Sequence, residues 1–165
     1  MEHFLVKCLS SGIVSDGVQA QSAAESSAMW RLRESAPLAA YADGFAYLHD
    51  LSLPLHDFYR LKEVVRERYA ECATHIVAYG HLGDGNIHLN VITKEYNQGF
   101  HESLDTFIYE WVVAHGGSIS AEHGIGQLKL PYSSLGKSSI ERDLVRSIKA
   151  VFDPKGILNP YKTLC

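Results

Sequence analysis

Residues 75–93 read HIVAYGHLGDGNIHLNVIT, and this stretch decides the fold that we predict. Residues 75–80 and 87–93 are rich in β-branched and apolar side chains, which is typical of β-strands. The glycines and polar residues at 83–86 favour a turn between them. We therefore predict an antiparallel β-hairpin in the middle of the chain.

The second strand of this hairpin has two chemically different faces. Successive side chains of a strand point to opposite sides, so Ile87 and Leu89 face away from His88 and Asn90. The apolar side fits a hydrophobic core, which leaves the histidine and the asparagine together on a functional face. His81 lies just before the turn, and we expect it at the mouth of the hairpin, where it can face His88.

Histidines that flank a turn can be metal ligands or ordinary hydrogen-bonded surface groups. A catalytic divalent metal needs such imidazoles, an oxygen ligand and an open coordination position. A second glycine-flanked stretch, GGSISAEHGIG at 116–126, places Glu122 beside His123. Glu122 can complete a site with the two hairpin histidines, and His123 can act as a general base. The alternative is a local cap or ion pair at Glu122 and an exposed His123. The two stretches together favour the metal site, because each supplies what the other lacks.

An arginine in the first part of the chain is a candidate for binding a carboxylate. Arg33 follows Trp30 in the segment WRLRE, and a guanidinium can hold a carboxylate through two parallel hydrogen bonds. The alternative is an ion pair on a helix surface, for example with Glu34, and the residues alone favour that alternative.

The rest of the chain alternates helical and extended patterns. Helices are predicted at residues 1–9, 21–35, 56–70, 98–114 and 140–151, and strands at 44–51, 75–80, 87–93 and 117–120. Pro37 should end or kink the second helix. Ser138 and Glu141 have the spacing of a capping box before the last helix, and Asp153-Pro154 should end it. This order predicts an α+β fold, with helices packed on one face of an antiparallel sheet.

Composition excludes several classes of protein. The chain has 165 residues, of which 46% are hydrophobic and 21% charged, the balance of an ordinary globular domain. A net charge of −4 argues against nucleic-acid binding, which needs a basic face. No apolar run approaches the roughly 20 residues of a membrane helix. The three cysteines are widely separated and form no CxxC pair, which argues against a disulfide framework or a thiolate zinc ribbon.

Several separated segments resemble the C-terminal part of the FAD-linked 2-hydroxyacid dehydrogenases. They are YGHLGDGNIHLNV at 79–91, SAEHGIG at 120–126 and FDPKGILNPYKTL at 152–164, with DLSLP at 50–54 in addition. The resemblance implies oxidation of a D-2-hydroxyacid, first of all D-2-hydroxyglutarate, to the 2-oxoacid. FAD would accept the hydride and pass electrons to a flavoprotein acceptor. It also implies a mitochondrial location, although no transit peptide is visible in this chain.

The resemblance also implies roles for individual residues. It implies ligands for zinc or another divalent metal, a base for the substrate hydroxyl, two substrate-binding positions and a contact with the flavin. His81, His88 and Glu122 match the metal ligands, and His123 matches the base. Arg33 and Asn90 match the substrate-binding positions, and Asn159 matches the contact with the flavin.

The resemblance further implies how the chain is organised. Residues 1–165 match the substrate- and metal-binding domain, and the N-terminal domain that holds most of the FAD is absent from them. The chain is then a fragment, a short isoform or a truncated gene product. Leu48 and Pro37 stand where members of the family carry a lysine and a threonine that help hold substrate carboxylates. The chain length of the substrate therefore stays open.

Two other functions compete with this one. A noncatalytic product would bind metal or a partner, such as the full-length enzyme or a second copy of this chain. A stand-alone zinc hydrolase would use the same histidines and glutamate to activate water. The sequence lacks the HExxH motif common in zinc peptidases, which argues against the hydrolase.

Overall fold

The predicted α+β architecture is confirmed by a computed structural model, which describes residues 2–162. In chain order its helices and strands are α1 (Glu2–Ser10), α2 (Ala23–Glu34), α3 (Ala36–Ala40), β1 (Phe45–Ser52), α4 (Arg60–Tyr69), β2 (His75–His81), β3 (Asn86–Thr93), α5 (Gln98–Ala114) and α6 (Ser139–Phe152). Short 3-10 helices lie at Tyr41–Asp43 and Leu130–Tyr132. None of the helices found between residues 2 and 162 is long and apolar enough to span a bilayer.

Two compact units divide between Ala39 and Ala40. The N-terminal unit holds α1 and α2, and Ser22 caps α2 by accepting a hydrogen bond from the backbone N–H of Glu25 at 3.2 Å. Helix α2 ends at Glu34 and a new helix starts at Ala36, so the expected interruption near Pro37 is confirmed. All elements from β1 onward belong to the C-terminal unit.

The sheet has three antiparallel strands in the order β1-β3-β2. The predicted hairpin forms β2 and β3, with His81 paired to Asn86 across the turn. Strand β1 lies on the other side of β3, so β3 is the central strand and has a partner on each edge. Because directly opposed residues point to the same face, this register decides which side chains meet.

One face of the sheet carries the hydrophobic core, as the alternation in β3 predicts. Its side chains pack with the apolar faces of α4 and α5, and the predicted helical spacing is confirmed there. The members buried to 1% exposure or less are Leu51, Leu61, Val65, Ile87, Leu89, Val91, Leu104, Ile108 and Val112. Burial of this set supplies the main favourable term for folding of the unit.

The predicted strand at 117–120 is wrong, because the segment makes only one isolated bridge. Ser52 and Ser118 exchange two backbone hydrogen bonds of 3.0 Å at the end of β1. Gly117 permits this approach, since a Cβ there would collide with the carbonyl oxygen of Ser52. The chain then leaves the sheet and passes over its second face.

The last helix forms as predicted at both ends. Ser138 accepts a hydrogen bond from the N–H of Glu141 at 3.2 Å, and the Glu141 carboxylate accepts one from the N–H of Ser138 at 2.7 Å. This is the expected capping box. The helix ends at Phe152, directly before Asp153.

Candidate functional site

The candidate site lies on the face of the sheet opposite the core. The register places Asp50 of β1 and Tyr79 of β2 directly opposite His88 of β3. His81 and Asn86 form the next pair on the same face, two residues further along β2 and β3 towards the turn. Three strands therefore bring polar side chains to one place, although they are distant in the sequence.

A loop from beyond α5 is fastened over this face by one carboxylate. The backbone N–H groups of Ala121, Glu122 and His123 all donate to Oδ2 of Asp50, at 3.0, 2.9 and 2.8 Å. The side-chain amide of Asn86 donates to Oδ1 at 2.8 Å. Asp50 is only 2% exposed, so its charge is held inside the protein by these four donors.

The same donors keep Asp50 ionised. Burial on its own would raise the pKa of this carboxyl group. The hydrogen bonds from the backbone of His123 and Glu122 and from Asn86, together with the charge of His123, lower it instead to about 2. Asp50 is therefore an anion at any pH near neutral.

The loop places Glu122 and His123 against His88. Oε1 of Glu122 lies 3.2 Å from Nε2 of His88 and 3.6 Å from Nε2 of His123. The two imidazole rings stack with centroids 5.6 Å apart. The side chains of Glu122 and His123 are 55% and 62% exposed, whereas that of His88 is 13% exposed. The group is therefore anchored on the sheet and open to solvent on one side.

These atoms fit the donor set of a divalent metal. Zinc bonds of about 2.1 Å in tetrahedral geometry put neighbouring ligand atoms about 3.4 Å apart. The 3.2 and 3.6 Å separations around Glu122 bracket that value. Ligand atoms of Asp50, His88, Glu122 and His123 all lie within 4.8 Å of one another. Imidazole and carboxylate donors suit zinc and similar cations.

His88 is also in the protonation state that a metal requires. Burial lowers the pKa of this imidazole, and the neighbouring His123 and His81 lower it further. The carboxylates of Asp50 and Glu122 act in the opposite direction, but the pKa remains below its ordinary value. A neutral ring at neutral pH has a lone pair for a cation.

His81 lies beside this group and is not one of the four clustered residues. Its ring is 5.7 Å from that of His88, centroid to centroid, in an edge-to-face arrangement. The structure thus joins three predicted residues, His88, Glu122 and His123. It adds Asp50 and leaves His81 as the ring next to His88.

The other predicted residues have different surroundings. Asn90 shares the face of His88 but is 1% exposed, and its side-chain amide donates to the hydroxyl of Tyr79 at 3.2 Å. Asn159 is exposed in the segment after α6 and has a positive φ of 46°. Arg33 is half-buried in the last turn of α2, within the N-terminal unit.

A cavity of about 330 Å³ adjoins the clustered residues. It is lined by Leu48, Asp50, His123, Ile125 and Lys129, among others. This volume lies at the lower end of the range found for small-molecule sites, which suits a ligand as small as a short-chain hydroxyacid. Because His123 lines it, a ligand in this cavity would lie beside the candidate metal ligands.

Sequence reasoning missed two residues of the site, Asp50 and Lys129. The ammonium group of Lys129 donates to the carbonyl oxygens of Ile119 at 2.8 Å and of Asp50 at 3.4 Å, and so joins the loop to β1. A carboxylate within a strand made mostly of aromatic and apolar residues was the available signal for Asp50. No comparable signal marks Lys129, because isolated lysines are usually solvated.

Comparisons with known proteins agree on one family. The family model described as FAD linked oxidases, C-terminal domain, matches residues 1–163. The mitochondrial D-2-hydroxyglutarate dehydrogenase of Arabidopsis thaliana is 46% identical over 164 residues, which cover 99% of this chain and 29% of that protein. The Bos taurus protein of the same name is 44% identical over 161 residues, or 98% of this chain and 30% of that protein.

A relative with another named substrate matches as well. A putative mitochondrial D-lactate dehydrogenase of Schizosaccharomyces pombe is 39% identical over 161 residues, which cover 91% of this chain and 31% of that protein. The chain therefore spans about 30% of the length of these curated relatives.

Proposed function

This chain belongs to the family of FAD linked oxidases, whose C-terminal domain it matches, and from that premise we propose that it supplies the substrate- and metal-binding part of a D-2-hydroxyacid dehydrogenase. The lineage is one of oxidoreductases. The observation that carries the proposal is the group formed by His88, Glu122 and His123 beside a cavity sized for a small acid.

For the metal we propose His81, His88 and Glu122 as ligands, with zinc as the first candidate. His88 and Glu122 already meet at 3.2 Å, and either His81 or His123 can supply the third donor. Choosing His81 leaves His123 available for proton transfer. When bound, the metal would polarise the C2 hydroxyl and lower its pKa, and FAD would accept the hydride.

The remaining roles belong to the chain's own side chains. His123 would take the hydroxyl proton on Nε2, since its ring is exposed to the cavity side of the site. Arg33 and Asn90 would hold the substrate carboxylate and hydroxyl end. The hydrogen bond from Asn90 to Tyr79 uses one N–H of the amide and leaves the other N–H and the carbonyl oxygen for the substrate. Asn159 would approach the flavin.

The proposal extends to the organisation of the active protein. Residues 1–165 would act as one substrate and metal domain, and a separate domain would hold most of the FAD. A flavoprotein would accept the electrons. The relatives' names support a mitochondrial location. D-2-hydroxyglutarate is the proposed substrate and D-lactate the competing one, since Leu48 puts an apolar side chain on the cavity wall.

Metal content of the purified chain tests the site. We expect near-stoichiometric zinc by mass spectrometry in the wild type and in His123→Ala, and loss of most of it in His81→Ala and His88→Ala. His75→Ala is a matched control, because His75 lies on the same strand as His81 and pairs with Asp43 instead. A metal-free wild type would overturn the proposal. Loss in His123→Ala with retention in His81→Ala would exchange the two roles.

Calorimetric titration of the zinc-loaded chain tests the substrate. D-2-hydroxyglutarate should bind more tightly than D-lactate, and the S enantiomer should bind more weakly than the R enantiomer. Tighter binding of D-lactate would replace the proposed substrate, and binding of neither acid would contradict the substrate-binding role.

A further inference from the structure

We propose that Asp50 is a positioning residue, which orients His88, Glu122 and His123 without itself binding the metal or the substrate. This inference rests on the function proposed above and adds to it a residue to which that function assigns no role. Two separate contacts of the carboxylate support it, one on each oxygen.

The first contact fixes the backbone of the loop. A single oxygen, Oδ2, accepts hydrogen bonds from three consecutive N–H groups, at 3.0, 2.9 and 2.8 Å, and two of them belong to Glu122 and His123. Consecutive N–H groups that point at one anion form a concave anion site. With their backbone fixed in this way, the side chains of Glu122 and His123 both start from a defined place above the sheet.

The second contact concerns the far side of the His88 ring. Oδ1 of Asp50 lies 3.9 Å from Nδ1 of His88, whereas Nε2 of the same ring faces Glu122. At 3.9 Å the carboxylate acts through its charge rather than through a hydrogen bond. That charge favours a proton on Nδ1, whereas Glu122 favours one on Nε2 as long as no cation lies between them. With a cation between Nε2 and Glu122, the Nε2 lone pair would bind it and the proton would lie on Nδ1, facing Asp50. Carboxylates behind metal-binding histidines commonly have this effect.

Asp50 has little capacity left to bind a cation itself. Oδ2 already accepts three N–H groups, and Oδ1 accepts the side-chain amide of Asn86 at 2.8 Å. Its side chain is 1% exposed, whereas that of Glu122 is 55% exposed. A metal on Asp50 would have to displace donors that hold the loop in place, so its contribution is to geometry.

The test compares Asp50→Asn with Asp153→Asn in the full chain. Asp153 is a matched control, because its carboxylate also accepts loop N–H groups, those of Ile157 and Leu158. Asp50→Asn should accelerate amide hydrogen exchange at 121–123 by about tenfold or more, with strand β3 still protected. It should weaken zinc affinity, measured by chelator competition, by about 10–100-fold. Asp153→Asn should accelerate exchange only at 157 and 158 and leave zinc affinity unchanged.

A spectroscopic readout separates this inference from the metal site itself. In the zinc-free chain, nitrogen chemical shifts of His88 should show a larger share of the Nδ1–H tautomer in the wild type than in Asp50→Asn, where Glu122 is the carboxylate that still acts on the ring. If the wild type binds no zinc, the proposed function fails, and the tautomer and amide exchange still test the role of Asp50. Unchanged tautomer and loop exchange in Asp50→Asn would overturn the inference, as would zinc affinity within twofold of wild type.

A second variant covers the case in which Asp50→Asn does not fold, which loss of β3 protection would reveal. Asn86→Ala removes the donor to Oδ1 and keeps the Asp50 charge. It should shift loop exchange and zinc affinity in the same direction by a smaller factor. If Asp50→Asn is unfolded and a folded Asn86→Ala protein has unchanged loop exchange and zinc affinity, the positioning role is contradicted. Asp50 would then be needed for folding alone.

Discussion

Two loops of this chain are each held by one aspartate, but the partners come from different distances in the sequence. Asp50 holds residues 121–123, which lie more than 70 positions away, above a buried sheet. Asp153 holds the N–H groups of Ile157 and Leu158, four and five positions away. The same chemistry therefore builds a tertiary site in one place and a local turn in the other.

The surroundings of the two carboxylates differ as well. Asp153 bonds to Lys149 at 2.6 Å, and this hydrogen bond, with those from the loop backbone, lowers its pKa. It follows a helix whose apolar residues point outward. Within the described chain no α6 side chain is buried, and the most exposed apolar ones are Ile140, Leu144, Ile148, Val151 and Phe152. Order in this region comes from local contacts, so we expect its opening to cost less free energy than opening of the sheet.

The largest difference should appear in stability at neutral pH. Asp50→Asn should lower the free energy of unfolding by about 2–3 kcal/mol, because it removes a buried anion that accepts hydrogen bonds from three loop N–H groups. Asp153→Asn should cause a smaller loss, because its carboxylate accepts two loop N–H groups rather than three and holds only a local turn. Urea unfolding followed by circular dichroism measures both. Equal losses would contradict the distinction between a tertiary and a local loop.

Acid should remove the difference in stability between the wild type and Asp50→Asn. The pKa of Asp50 is about 2 in the folded chain, against an ordinary value of 3.8 in an unfolded one. A lowered carboxyl pKa contributes stability that is present above pH 4 and lost as the pH falls towards 2, here about 2 kcal/mol. Unfolding curves of wild type and Asp50→Asn should therefore converge between pH 4 and pH 2. A gap that stays constant over this interval would show that the charge of Asp50 is not what stabilises the loop.

The smallest expected effect on stability is in the lysines that contact the two loops, Lys129 and Lys149. Lys129→Met leaves the carbonyl oxygen of Ile119 without the donor that lies 2.8 Å away, and should cost about 1 kcal/mol. Lys149→Met removes contacts to Asp153 and to the carbonyl oxygen of Leu158 at a more exposed site, and should cost less. Thermal unfolding of both variants measures the order. The reverse order would place the more important anchor at the C-terminal loop.

Much of the fold could be predicted because its rules are local. The alternation in β3 placed Ile87 and Leu89 in the core, and the spacing of Ser138 and Glu141 gave the capping box. Each depends on residues within a few positions of one another. The predicted strand at 117–120 failed because its partner is a single residue, Ser52, which local propensity does not report.

The site was predicted only in part for the same reason. Residue types alone indicated His88, Glu122 and His123, because imidazoles and carboxylates near glycine turns are the usual ligands of metals. The sequence predicted His81 as a ligand beside His88 and His123 as a base, whereas the contacts in the structure bring His123 into the cluster and leave His81 next to it. The strand register sets His81 opposite Asn86, and the Asp50-held loop stacks His123 on His88.

By itself, the sequence determined most of the helices and strands, the two faces of β3, the chemistry of the candidate ligands and the family. Those properties follow from side-chain type and short spacing. Only the tertiary structure decided that Asp50 lies opposite His88 and gathers the N–H groups of 121–123. Hydrogen bonds between residues 71 to 73 positions apart depend on strand order and on burial of the core, and neither can be read from one segment alone.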